Sequence, residues 1–137
     1  MPRIKLAEHG RTKFERLLGH NIEIQENWSK LGDSLNNAGQ LSPKLKEQVR
    51  RTLAQQNGCE YCRAKGKPDQ VQFDEQVTVA VGFAEVFIKM KGTVSASIIE
   101  VLKETFSESE ISELCAFITF TTASQYIGAM LGLEAET

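Results

Sequence analysis

The chain reads as all-α, a single domain of about six helices, and three observations predict this. Apolar residues recur at helical spacing through most segments, and the segment boundaries carry helix-capping residues. The one stretch that alternates like a strand has no second strand to pair with. At 137 residues the chain suits one domain, residues 1–137, and is long enough to bury a core without disulfide staples.

Taken in order, the N-terminal helices fall within about 11–37. Ile24, Trp28, Leu31 and Leu35 recur at i, i+4, i+7 and i+11 as one apolar stripe, closed by Asn36, Asn37 and Gly39. The next helix opens at Ser42-Pro43, where a serine hydroxyl caps and proline fits the first turn. It carries Leu45, Val49 and Leu53 on one face and stops at Asn57-Gly58. The segment FDEQVTVAVGFAEVFIKM has both periods: Val77, Val79, Val81 and Phe83 alternate, whereas Val77, Ala80, Val81, Ala84 and Ile88 follow a helix. Its length and its Asp74-Glu75 start favour the helix.

Ile98, Ile99, Leu102 and Phe106 mark a short helix. The last begins with a capping box, Ser107-Glu108-Ser109-Glu110, and runs through Ile111, Leu114, Cys115 and Ile118 towards Met130. From Cys115 onward it is apolar nearly all round. Such a helix needs cover on more than one side, which predicts a central position or a subunit interface, and hence a homo-oligomer.

A net charge of −2 gives neither a nucleic-acid footprint nor a polybasic membrane surface, so small molecules or proteins are the expected partners. MPRIKLAEHGRTKFERLL lacks the apolar segment and cleavage site of a secretory leader, and no later run is long enough to span a bilayer. The expectation is a cytoplasmic protein. Three cysteines, an odd and sparse count, fit a reducing compartment.

Two of them stand close together in NGCEYCRAKGKP, as Cys59 and Cys62. They are a redox pair, half of a metal site, or two packed thiols. A metal site needs two more ligands, and Cys115, His9 and His20 offer none at paired spacing, so no metal and no cofactor is expected. Cys59 follows a helix end and opens a segment free to be helical until Pro68, where helix-end charge favours thiolate. Arg63, Lys65 and Lys67 add positive charge; Glu60 works against it. In the redox reading one thiolate attacks, a mixed disulfide or sulfenic acid forms, and the second thiol closes the disulfide. The spacing leaves open which cysteine attacks. Cys115, on the apolar face of the last helix, reads as a packed, inert thiol.

From Glu47 through Cys59-Glu60-Tyr61-Cys62 the chain resembles the alkyl hydroperoxidase D-like branch of the carboxymuconolactone decarboxylase superfamily. That motif is Glu, eleven residues, Cys, any residue, Tyr or His, Cys, three residues, His, and Glu47, Cys59, Tyr61 and Cys62 meet its spacing, preceded by LSPKLKE. FSESEISELCAFITFTTASQYIGAMLGLE looks like the family's closing helix, so the resemblance covers about 41–134. It implies an all-α trimer or hexamer that reduces a small-molecule peroxide or disulfide and is itself reduced by a protein partner. It further implies Cys62 as the peroxidatic thiol, Cys59 as the resolving one and Glu47 as the base.

The departure is Gly66, which stands where the family has its relay histidine. Acid–base help of that kind is typically worth about 10²–10⁴-fold, and glycine transfers no proton. Glu47 itself has two readings. Opposite the Leu45, Val49, Leu53 stripe, with Arg50 and Arg51 one turn on, it is a solvated ion-paired glutamate. On a helix covered on both faces it becomes a buried carboxylate with a raised pKa. Tyr61 has two readings as well, packing beside the thiols or a supporting role in their chemistry, and packing is the expected one. Two other functions stay open: a non-catalytic or redox-sensing oligomer that binds a small ligand or partner, favoured by Gly66, and more weakly a lactone decarboxylase-like lyase.

Overall fold

The structure is a computed structural model that describes residues 1–135. The described residues form seven α-helices and no strand, close to the six expected. They are α1 (Lys13–Leu18), α2 (Ile22–Asn37), α3 (Pro43–Gln56), α4 (Glu60–Arg63), α5 (Glu75–Met90), α6 (Ala96–Lys103) and α7 (Glu108–Met130), with a 3-10 turn at Gln70–Gln72.

The caps sit where the side chains announce them. The Ser42 hydroxyl accepts from the Leu45 N–H at 3.1 Å, with Pro43 opening α3. Asp74 accepts from the Val77 N–H at 2.9 Å, which starts α5 and settles its double periodicity as helix. At Ser107 both halves of the capping box form: Glu110 N–H donates to the serine hydroxyl at 3.2 Å, and Ser107 N–H donates to the Glu110 carboxylate at 2.9 Å.

The main core lies among α3, α5, α6 and α7. Leu45, Val49 and Leu53 of α3 meet Val77, Ala80 and Ala84 of α5 on one side, and Leu114 and Ile118 of α7 join the same cluster. Helix α7 touches α2, α3, α4 and α6, which explains why one apolar stripe is too few for it. The expected stripe on α2 is only half used. Trp28 and Leu35 are partly buried, but Ile24 and Leu31 are 53% and 51% exposed, because within this chain the contacts of α2 with α1, α7 and α3 leave part of the stripe uncovered.

A second, smaller apolar cluster forms from both ends of the chain. Leu17 of α1, Cys59, Tyr61 and Leu133 are its buried members, with Leu6, Phe14, Cys62 and Leu131 packed against them. Arg3 ties the ends together, its N–H donating to the Leu131 carbonyl and its side chain to the Met130 carbonyl, both at 2.7 Å. Among the described residues no helix is long and apolar enough to cross a membrane.

Candidate active site at Cys59 and Cys62

Helix α3 ends at Gln56, and Asn57 and Gly58 turn the chain so that Cys59 caps α4. The Cys62 N–H donates to Cys59 Sγ at 3.2 Å, and the two cysteines are joined as a disulfide across a Cα–Cα distance of 5.3 Å. The expected helix to Pro68 is shorter, since α4 spans only Glu60–Arg63. So few aligned peptides carry little macrodipole, and the positive side chains that line the groove with Cys62 are Arg50 and Lys65.

The two sulfurs differ in access. Cys59 is 1% exposed and sealed within the second cluster. Cys62 is partly exposed and lines a groove of about 270 Å³ between the α1–α2 region and α7. Phe14, Trp28, Phe117 and Phe120 make its apolar wall, and Arg50 reaches it beside Cys62. The Trp28 and Phe120 rings lie 5.2 Å apart, and the Trp28 indole N–H donates to the Ser124 hydroxyl at 2.9 Å, so the wall is held by both packing and a hydrogen bond.

Glu47 sits in a clamp of two arginines. Arg50 Nε and Nη2 donate to its two carboxylate oxygens at 2.7 and 2.8 Å, and Arg51 Nε donates to Oε2 at 2.8 Å. Arg50 then uses Nη1 to reach the Cys62 carbonyl at 3.3 Å. The Arg50 hydrogen bonds, against the opposing effect of burial and with Arg51 in support, hold the Glu47 pKa down to about 2. The raised pKa that a doubly covered helix implies is therefore not the state of Glu47 in this chain. Its side chain is 39% exposed, and two guanidiniums stabilise its charge.

Gly66 has a physical reason to be glycine. Its φ is 128°, and a Cβ there would face the Arg51 guanidinium at 3.4 Å. The place expected for a relay histidine thus fronts a fixed cation, which also donates to the Lys67 carbonyl at 3.1 Å. His9 pairs with Glu26 at 3.4 Å and His20 meets the Lys5 carbonyl at 2.5 Å; neither lines the groove beside Cys62. Tyr61, 7% exposed, packs in the thiol cluster with the Lys65 ammonium 4.5 Å from its ring centre. Cys115 lies apart, packed against the main core, and burial pushes its thiol pKa up. Among the described residues no group of three or more His, Cys, Asp and Glu side chains is placed to hold a metal ion.

Arg50 and Gln125 are the site residues that sequence reasoning did not single out for the site. Arg50 was legible only as an ion-pair partner of α3. Gln125 is a lone amide on an apolar helix, and a buried amide needs partners, which was the one available signal.

Compared by sequence, the chain matches no protein-family model and no curated protein. Compared by structure, it is similar to an uncharacterized peroxidase-related protein from Silicibacter sp. TM1040, with a TM-score of 0.78 at 16% identity. The match covers 91% of this chain and 76% of that one, so the two share a fold over nearly all of the helices described above.

Proposed function

We propose that this protein is a thiol–disulfide oxidoreductase that reduces organic hydroperoxides through Cys62 and Cys59. The observation that carries the reading is the asymmetry of the pair: one sulfur sealed, the other opening on an aromatic-walled groove next to a guanidinium. The fold shared with a peroxidase-related protein supports it.

In the proposed cycle the Cys62 thiolate attacks the distal oxygen of a hydroperoxide. The S–O bond forms, the O–O bond breaks, and the alkoxide leaves with a proton as alcohol. The Cys59 thiolate then attacks the Cys62 sulfenic sulfur; the S–S bond forms and hydroxide leaves, protonated to water. Two electrons pass from the thiols to the peroxide, and a dithiol partner protein returns them by exchange. The N–H donated to Cys59 Sγ favours a thiolate there for the resolving step. Arg50 supplies positive charge that needs no proton transfer, and Glu47 acts by fixing Arg50 rather than as the base. The open faces of α2 and α7, with Ile24, Leu31, Tyr126 and Met130 exposed, suit a homo-oligomer.

The test is to mix reduced protein with cumene hydroperoxide and follow alcohol release and free thiols. Turnover at least tenfold faster than free cysteine is expected. Cys62→Ser should abolish it, while Cys59→Ser should leave a sulfenic acid that dimedone traps on Cys62. Consumption no faster than by free cysteine sinks the reading.

One specific observation favours the alternative, a redox-sensing protein without turnover: glycine at position 66 and an ion-paired Glu47 leave those two positions unsuited to relay protons. That reading expects one disulfide per pair on oxidation and no sustained peroxide loss when a dithiol is supplied.

A further inference from the structure

The segment that carries the thiol pair meets α7 at two residues three positions apart, Gln125 and Gly128. Gln125 is 2% exposed; its side-chain oxygen accepts from the Asn57 amide at 2.8 Å, and its nitrogen donates to the Arg50 carbonyl at 3.3 Å. One buried side chain therefore anchors the end of α3 to α7 just ahead of Cys59. Gly128 presents bare backbone to the sulfurs. A Cβ built on it would lie 2.5 Å from Cys59 Sγ, 3.5 Å from Cys59 Cβ and 3.8 Å from Cys62 Sγ. The first distance is about 1 Å inside ordinary non-bonded contact. Cys59 belongs to one buried cluster with Leu17, Tyr61 and Leu133, which holds the segment as a whole in place.

We infer that Gly128, kept in register by Gln125, is a positioning residue that sets the dithiol–disulfide balance of Cys59 and Cys62. In the disulfide the Cys59 sulfur is held by its bond to Cys62, in the space that Gly128 leaves open. In the dithiol that bond is gone and the Cys59 side chain is free to take another rotamer. A methyl group at position 128 therefore raises the free energy of the oxidised form more than that of the reduced form. In a helix without this neighbour the same change would be stabilising.

The inference rests on the pair being redox-active, but it concerns an equilibrium and not peroxide turnover, so the two can fail separately. The probe is glutathione. A protein thiolate attacks glutathione disulfide and releases one glutathione thiolate; the second protein thiolate attacks the mixed disulfide and releases the other, so two electrons pass to glutathione.

The oxidised fraction is measured across glutathione redox buffers for the natural chain and for Gly128→Ala. The expected result is a fall of at least tenfold in the equilibrium constant for oxidation, a potential about 30 mV more oxidising. A glycine needed only for packing would weaken both forms alike, so an unchanged potential overturns the inference. The second measurement places Gly128→Ala in a Cys59→Ala background and compares thermal midpoints. With Sγ removed, the nearest contact relaxes to the 3.5 Å of Cβ, and the substitution should become harmless. An equal loss in both backgrounds overturns the inference. If Gly128→Ala alone does not fold, recovery of the fold in the double variant supports it, and a double variant that stays unfolded overturns it.

Discussion

The main core joins side chains from α3, α5, α6 and α7, whereas the thiol cluster joins Leu6, Phe14 and Leu17 near one end of the chain to Leu131 and Leu133 near the other, with Cys59 and Tyr61 between them. In the first, buried residues follow the helical period within each element, so apolar area accumulates on continuous faces. In the second, few apolar residues meet, and polar ties such as Arg3 to Leu131 and Gln125 to Asn57 hold them in place. Apolar burial is concentrated in the first region and the thiol pair lies in the second, so under the proposed function the sulfurs would change bonding away from the main core.

The same division runs through two adjacent residues of α3. Lys46, 2% exposed, pairs with Glu113 of α7 at 2.8 Å and donates to the Ala38 carbonyl at 2.9 Å, on the side of the main core. Glu47, its neighbour, pairs with Arg50 and Arg51 and keeps 39% of its side chain exposed. The first pair locks helices together. The second sets charge beside Cys62, and its exposure screens its contribution to stability.

The sharpest way to separate the regions is Leu114→Ala, which opens a cavity at a fully buried position of the main core. It should cost about 3 kcal/mol in denaturant unfolding, equally with and without reductant. A loss that depends on the redox state would mean that the two clusters are one unit.

Next in size is Glu113→Gln, which leaves the Lys46 ammonium buried without a counter-charge; a loss of about 3 kcal/mol at neutral pH is expected. Burial pushes the Glu113 pKa up, but Lys46 and the N–H groups of Gln40 and Leu41 outweigh it, so the folded value lies below the ordinary 4.5. The pair's stabilisation is thus complete above about pH 4.5 and is lost as pH falls through the lower folded value. Acid titration of stability should show this loss in the natural chain and a weaker one in Glu113→Gln. An identical acid profile would show that the pair contributes nothing to it.

The smallest effect belongs to Cys115→Ala. Its partly buried side chain should be worth less than about 1 kcal/mol, since only a small sulfur is removed, and the oxidation of Cys59 and Cys62 should be unchanged. In the natural chain its raised pKa should make it alkylate more slowly at neutral pH than free cysteine does. Rapid alkylation of Cys115 would place it outside the core.

Most helices were legible in the sequence because their signals are local. Ser42-Pro43, Asp74 and the Ser107 capping box each act on backbone groups within one turn, so spacing alone locates them. The Cys59 and Cys62 pairing was legible for the same reason, being a contact at i, i+3. The half-open stripe of α2 was not, because periodicity shows which face is apolar but not whether anything covers it. Nor was the grouping of Leu17 and Leu133 with Cys59, since it joins three segments far apart in the chain.

By itself, then, the sequence determined the all-α class, most helix starts and a thiol pair at the entry to a new helix, all through interactions that span a few residues. Only the tertiary structure decided which sulfur is sealed and which is open, that Arg50 and Arg51 hold Glu47 as a low-pKa carboxylate, and that Gly128 gives Cys59 its space. Those properties depend on the distance between elements and on what fills it, and distance between remote segments is written in the packing of the whole chain rather than in any local pattern.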